Sequence, residues 1–237
     1  MKKKRIFLTI DDAPSSHLSK KVDYLIEKKI PAIFYCRGEF MKENLRHVSY
    51  AIEKGYWIGN HSYSHPYFST ISLDLAKEEI EKTDAFIEKA YEDAGLKRPF
   101  KLFRFPFLDR GEKKGKEHFQ GLQELLKDLG YNKPHFEGLT YPFCEGYLGG
   151  FDAPFTVDAK EYALFSKEYM KKHALYHPQD FQKLLEKVDP VKGYSLQNPA
   201  SADVLLLHDF ETTHHVFEPI MDRLIEWDVE FWMPKIS

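Results

Sequence analysis

The sequence predicts an α/β fold in which parallel strands alternate with helices. Three observations predict it. Short apolar runs rich in β-branched residues alternate with longer stretches of helical period. Polar residues collect just after those runs (Asp11 and Asp12, His61 and His65, Arg104, His208), at the strand ends where parallel sheets and barrels form their sites. No internal repeat or linker divides the 237 residues, a length that suits one large domain with a full core. Residues 1–237 are therefore read as a single domain.

The elements follow in order. Residues 5–10 form a buried strand, ended by turn chemistry at Asp11-Asp12-Ala13-Pro14-Ser15-Ser16. Leu18, Val22, Leu25 and Ile26 share one helical face with lysines opposite, and Ser15 or Ser16 is the expected N-cap. Residues 31–36 are the second strand. Arg37-Gly38 turns into a helix over residues 41–54, which Gly55 is placed to end. Residues 56–59 are the third strand. Ser72 caps the longest helix, with Leu75, Ile80, Phe86 and Ile87 inward and Gly95 as its stop. Residues 101–105 are the fourth strand, and a helix over residues 117–129 is stopped by Gly130.

Residues 131–157 break the alternation. They form an irregular insertion rich in glycine, proline and aromatics. Tyr131, Phe136, Tyr141, Phe143, Tyr147, Phe151 and Phe155 argue against disorder, and a long irregular segment of this kind is expected to cover or border a site. Helical periods resume over residues 161–172 and 178–188. Residues 203–207 are a strong buried strand that delivers His208-Asp209, and a helix over residues 215–227 and a strand over residues 229–233 follow.

Composition narrows the function. The chain is 43% hydrophobic and 30% charged with a net charge of -3 and a pI near 6.4. Nothing in that balance argues for a nucleic-acid or membrane partner. Cys36 and Cys144 make no disulfide framework and read as free thiols of a reducing compartment. The basic start, residues 1–5, is followed by too short an apolar run for a signal peptide. A cytoplasmic location is the expectation.

The stretch His61-Ser62-Tyr63-Ser64-His65 carries the chemistry. Imidazoles four residues apart can face one point, and neutral imidazole is the commonest protein ligand for zinc. Pro66 argues against a regular helix, so a loop at a strand end is expected. Each polar group alone has an ordinary reading. An Asp-Asp pair is a turn or cap, His208 a half-buried histidine, Arg104 a solvated charge. Four groups at equivalent strand ends are much harder to obtain by accident. His214 and His215 are read as non-ligands, because they sit at a helix start that Thr212 or Thr213 can cap.

These residues resemble the polysaccharide deacetylases, the NodB-homology group also called carbohydrate esterase family 4. Thr9-Ile10-Asp11-Asp12-Ala13-Pro14 is similar to their T-F-D-D-G-P, His61 to His65 to H-[ST]-x-x-H, and Arg104-Phe105-Pro106-Phe107 to R-x-P-[YF]. Asp158-Ala159-Lys160-Glu161-Tyr162 resembles D-x-x-D-W, and Leu206-Leu207-His208 resembles L-x-H. The motifs occur in the family's order and span most of the chain.

The resemblance implies a distorted (β/α) barrel that binds one divalent metal, usually Zn2+, with Co2+ or Ni2+ as alternatives. It implies Asp12, His61 and His65 as metal ligands, Asp11 as general base and Arg104 as its partner. The backbone N–H of Phe107 would help stabilise an oxyanion, and Leu206 would line the pocket for an acetyl methyl. His208 would protonate the leaving amine, oriented by Glu161 or by Asp158. The implied substrate is an acetylated amino sugar or glycan, and the reaction is metal-dependent N-deacetylation.

Ala13 departs from the family's glycine, and Glu161 and Tyr162 from its Asp and Trp. Residues 109–155 match no motif of the family and would narrow the site. Two other readings stand beside this one. The first is an amidohydrolase on a small cyclic amide or ureide, and the second is a carbohydrate-binding domain with a weakened site.

Overall fold

The strand β1 (Arg5–Ala13) runs through the middle of a parallel sheet. It pairs along its length with β6 (Asp203–His208), from Ile6 opposite Asp203 to Asp11 opposite His208. On its other edge its first residues pair with β7 (Glu230–Phe231) and its last with β2 (Ile33–Cys36). Beyond β2 lies β3 (Trp57–Asn60), and beyond β6 lies β5 (Val157–Asp158), so the order is β3-β2-β1-β6-β5. A separate antiparallel pair joins β4 (Pro134–His135) to β8 (Lys235–Ile236). The computed structural model describes residues 3–173 and 199–237, together with 177, 180, 185, 186, 196 and 197. The apolar runs at residues 5–10, 31–36, 56–59 and 203–207 become parallel strands, with helices between β1, β2 and β3, as the alternation in the sequence predicts.

The period of two along β1 sorts its side chains. Ile6, Leu8 and Ile10 pack in one core with Leu18, Val22 and Leu25 of α1 (Leu18–Glu27), Met41, Val48 and Ile52 of α2 (Gly38–Glu53), Ile87 of α3 (Leu73–Asp93) and Phe217 and Ile220 of α6 (His214–Glu226). Phe7 faces the other way, into a core with Tyr35, Leu102, Phe136 and Val204. Thr9 and Asp11 continue the Phe7 face, and both are buried. A third cluster, around Phe68, Phe103, Phe105 and Tyr131, seats α4 (Lys116–Asp128). A short helix, α5 (Lys167–His173), completes the described helices.

Several expectations are corrected. Asp11-Asp12 is not a turn, because β1 runs on to Ala13 with a register shift between Ile10 and Ala13. The strained residue is Asp12, at φ 57°, and aspartate tolerates the left-handed region better than most residues. Ala13, where the family has glycine, is not among the positive-φ positions. Residues 101–105 are not a strand but a single bridge, Asn60 to Phe103. Their backbone is taken on one side by Asn60 and on the other by the Ala153 N–H.

Neither Ser15 nor Ser16 caps α1, whose N-cap position is His17, with no side-chain cap. Both serines bond across the chain instead, Ser15 to Asp209 and Ser16 to Glu211. Ile26 and Leu75 are exposed rather than inward, because Leu25 and Ala76 already occupy the buried rows of their helices. Ser72 does cap α3, accepting from the Leu75 N–H at 3.2 Å. Positive φ at Gly55 and Gly95 ends α2 and α3. Most of the helix expected over residues 178–188 lies outside the described residues; of it only 180, 185 and 186 are described. Among the described residues no helix is long and apolar enough to cross a membrane.

Candidate active site

The face of β1 that carries Phe7 and Thr9 ends on Asp11. The Asp11 carboxylate accepts from Arg104 Nη1 at 2.8 Å, and Arg104 is fully buried. The same guanidinium donates to the Thr9 hydroxyl at 2.8 Å, to the Ala153 carbonyl at 3.2 Å and to the Pro154 carbonyl at 2.6 Å. It lies 4.5 Å over the Tyr35 ring. A buried guanidinium with its donors occupied is a fixed support for one carboxylate.

The histidine loop leaves the end of β3. Asn60 there accepts from the Ser62 N–H and donates to the Ile80 carbonyl and to Asp84. Glu79 of α3 accepts from the N–H groups of Tyr63 and Ser64 and from the Ser64 hydroxyl. These bonds hold Ser62 at φ 64° and His65 at φ 63°. His61 Nδ1 lies 2.8 Å from the Arg104 carbonyl, so it carries the proton and leaves Nε2 as a lone pair. That Nε2 is 3.2 Å from His65 Nε2, and His65 Nε2 is 3.5 Å from Asp12 Oδ1.

Asp12, His61 and His65 offer donor atoms within 4.8 Å of one another. Burial depresses His61 to about 3 and His65 to about 2, so both rings are neutral ligand forms at neutral pH. Burial also pushes the Asp12 carboxyl up to about 6. A buried acid facing two bare imidazole nitrogens suits a divalent cation, which would satisfy all three at once. His61 Nε2 is also 3.5 Å from Asp11 Oδ2, so Asp11 borders the same point.

The neighbouring strand β6 delivers His208 to the same cavity, in register with Asp11. Glu161 reaches this histidine twice, accepting from its backbone N–H and lying 3.4 Å from its ring Nδ1. Asp158 joins the cluster, with its Oδ1 accepting from the Lys160 N–H at 2.7 Å. Burial alone would depress the His208 ring, but Glu161, with Asp158 and Asp12, outweighs it and raises the ring to about 10. Burial pushes Asp158 up to about 6. Of the two acids that sequence left open, Glu161 lies nearer to His208, at its backbone N–H and 3.4 Å from its ring, while Asp158 offers an oxygen within 4.8 Å of the same cluster.

Both groups border one cavity of about 640 Å³. Phe107 and Leu206 line it, as do Asp11, Asp12, His61, His65, Arg104 and His208. Phe107 is half exposed at φ 57°, edge-on to His65 and stacked at 4.0 Å on Tyr67. His214 is stacked on His17 and His215 is exposed, and neither belongs to a potential metal group among the described residues. The aromatic segment divides. Tyr131, Phe136 and Tyr141 are buried, whereas Phe155 lines the cavity.

Sequence reasoning missed Arg37 and Phe210 as lining residues. Arg37 Nη1 is 3.5 Å from Asp12 and its Nη2 pairs with Glu39. It follows β2 directly, so the signal that singled out the other strand ends was present for it too.

Comparison with known proteins places this geometry among relatives. Residues 1–134 match the family model described as polysaccharide deacetylase. A chitooligosaccharide deacetylase from Rhizobium leguminosarum bv. trifolii is 30% identical over 88 residues, which is 37% of this chain and 41% of that protein. Matches to three curated relatives take in 34–41% of their lengths, so the chain covers well under half of those proteins. A family 4 carbohydrate esterase from Streptomyces lividans, solved with acetate, superposes with a TM-score of 0.61 at 19% identity, over 98% of this chain and 94% of that one. A family 4 pseudoenzyme from Bacillus anthracis superposes with a TM-score of 0.63 at 20% identity, over 97% of this chain and 63% of that one. At these identities the structural likeness is one of fold.

Proposed function

The chain belongs to the polysaccharide deacetylase family, and on that premise we propose that it is a metal-dependent hydrolase removing N-acetyl groups from an amino sugar or glycan. One observation carries the reading. A carboxylate–imidazole donor set (Asp12, His61, His65) and a second acid-flanked imidazole (His208, 3.4 Å from Glu161) border one cavity, with the Arg104-held Asp11 beside the first.

Each side chain has a task in amide hydrolysis. Asp12, His61 and His65 would hold the cation, most simply zinc with its preference for nitrogen and oxygen donors in such a set. A bound divalent cation would supply Lewis acidity toward the amide carbonyl and toward water. Asp11 would accept the proton of the attacking water, its position fixed by Arg104. His208 would give a proton to the leaving nitrogen, with Glu161 fixing the ring. An amine leaves poorly until protonated, so base and acid must lie on two sides of the carbonyl carbon. The Phe107 N–H would stabilise the developing oxyanion, and Leu206 would take the acetyl methyl.

The test is acetate release from N-acetylglucosamine oligomers by the purified protein, with and without a chelator. Release that stops on chelation and returns with zinc supports the reading. Turnover of cyclic amides or ureides with no acetate from any acetylated sugar would overturn it in favour of an amidohydrolase. Sugar binding with no metal uptake would favour a binding domain.

A further inference from the structure

We propose that Lys21 and Asp209, a buried ion pair that takes no part in the chemistry, are positioning residues that hold Asp11 and Asp12 in place against His208. The proposal rests on the deacetylase reading for the roles of those three side chains. Asp209 follows His208 at the end of β6, and it grips the chain on both sides of Asp12. Its backbone N–H donates to the Asp11 carbonyl at 2.8 Å. Its carboxylate accepts from the Ser15 N–H at 2.7 Å and from the Ser15 hydroxyl at 2.8 Å. Only Asp12, Ala13 and Pro14 lie between the two grips.

That span needs holding. Asp12 has φ 57°, and an uncommon backbone conformation persists only where its surroundings over-determine it. Asp209 supplies those bonds from β6. On the other flank the Arg37 N–H donates to the Ala13 carbonyl at 2.8 Å. A metal donor and a base do their work only when held to about 0.5 Å.

Lys21 fixes the carboxylate in turn. Its Nζ is 2.7 Å from Asp209 Oδ1, and the two side chains are 3% and 0% exposed. The same ammonium donates to the His208 carbonyl at 3.3 Å, which also accepts from the Thr213 hydroxyl at 2.9 Å. Lys21 stands in the buried row of α1 with Leu18, Val22 and Leu25, where an apolar residue would pack with no charge to desolvate. A buried ion pair is weak support for stability, since an apolar pair of similar size often serves as well. The contacts of this pair give it another task. They join the strand end that carries the proposed acid to the strand end that carries the base and a metal donor.

The test compares the native chain with two double variants, Lys21→Met/Asp209→Leu and Lys21→Met/Asp209→Asn. Both remove the two charges together, so neither strands one member of a buried pair. Only the Asn variant keeps a side-chain oxygen for the Ser15 N–H. Zinc affinity is measured by competition with a chromophoric chelator, in buffer where urea unfolding shows every chain to be fully folded. The Leu variant is expected to bind zinc about 10–100-fold more weakly than the native chain, and the Asn variant to recover most of that loss. A merely structural pair leaves the affinity of the folded chain alone. Crystal structures of the native chain and the Leu variant give a readout that needs neither metal nor turnover. In the variant, Asp12 should leave its left-handed backbone and its carboxylate should shift relative to His208. Native zinc affinity in the folded Leu variant, or an unmoved Asp12, overturns the proposal. Should the Leu variant not fold, Ser15→Ala takes its place, because it removes only the hydroxyl on Asp209 Oδ1. Its zinc affinity should fall in the same direction by less, and an unchanged affinity overturns the proposal. Acetate release by the native chain separates the two readings. No zinc uptake and no acetate from the native chain defeat the deacetylase, and the clamp then stands or falls on the position of Asp12 in the crystal structures.

Discussion

His61 Nε2 and His65 Nε2 lie 3.2 Å apart, and the Arg104 carbonyl 2.8 Å from His61 Nδ1 fixes which nitrogen of His61 is bare. Nδ1 must donate there, so the Nε2 lone pair is turned toward His65 and Asp12. Such a set gains most when a cation joins it.

Zinc is therefore expected to raise the melting temperature. At a free concentration a hundredfold above Kd, one site that binds only the folded chain adds about 2.7 kcal/mol. For a chain of this size that corresponds to about 5–10 °C. Scanning calorimetry with zinc and with a chelator checks it, and coincident transitions would refute zinc binding at Asp12, His61 and His65.

The adjacent aspartates are expected to separate by role. Asp12→Asn removes an anionic donor and should lose both metal and turnover. Asp11→Asn leaves the three donors in place but cannot accept a proton from water, so it should keep its metal and lose about 10²–10⁴ in rate. The structure adds a second consequence. Arg104 is fully buried against Asp11, and removing one partner of a buried pair costs about 3–5 kcal/mol. Zinc content must therefore be read per folded molecule, with urea unfolding of both variants alongside. Metal loss in Asp11→Asn with retention in Asp12→Asn would reverse the assignment.

Glu79 is expected to control metal affinity without touching the metal. It gathers the N–H groups of Tyr63 and Ser64 and the Ser64 hydroxyl, inside a loop whose two ends, Ser62 and His65, are at positive φ. Glu79→Ala frees the loop, and His65 then has to be ordered on binding. Loss of a supporting partner of this kind typically costs 10–100-fold in affinity. Competition with a chromophoric chelator measures it, and an unchanged affinity with native circular dichroism would show that the loop holds itself.

The legible parts of this chain are those set by local period. The face Phe7, Thr9, Asp11 follows from alternation along one strand, and Gly55, Gly95 and Ser72 mark helix ends by chemistry confined to a few residues. The illegible parts depend on partners far along the chain. Ser15 looks like a cap, but Asp209 takes both its N–H and its hydroxyl. Asp11-Asp12 before Ala13-Pro14 looks like a turn, but pairing with β2 and β6 carries the strand through it, and the irregularity shrinks to Asp12. Residues 101–105 have a strand's composition, but they meet β3 at only one bridge. The candidate donor set Asp12, His61 and His65 is marked by motif spacing, whereas Arg37, at an equivalent strand end, belongs to no motif.

The basic limb of the pH–rate profile is expected to follow His208 and to move when Glu161 loses its charge. Burial would depress this ring, but Glu161, with Asp158 and Asp12, raises it to about 10. A histidine raised in the folded state above its usual value near 6.5 contributes stability that is whole below that value. The contribution is lost as pH rises through about 10. The same protonated ring is the proposed acid, so kcat/KM should fall on the alkaline side as the ring loses its proton. Glu161→Gln keeps the side chain's length and an oxygen for the His208 N–H, but removes the charge that holds the proton. Its basic limb should move to lower pH, and its loss of stability between neutrality and alkaline pH should begin earlier. Asp158→Asn should move the limb less, because Glu161 is the nearer and stronger partner. Profiles of kcat/KM for the three proteins, with urea unfolding near pH 7 and near pH 10, make the measurement. A basic limb left in place by Glu161→Gln would show that the titrating acid is a group other than His208.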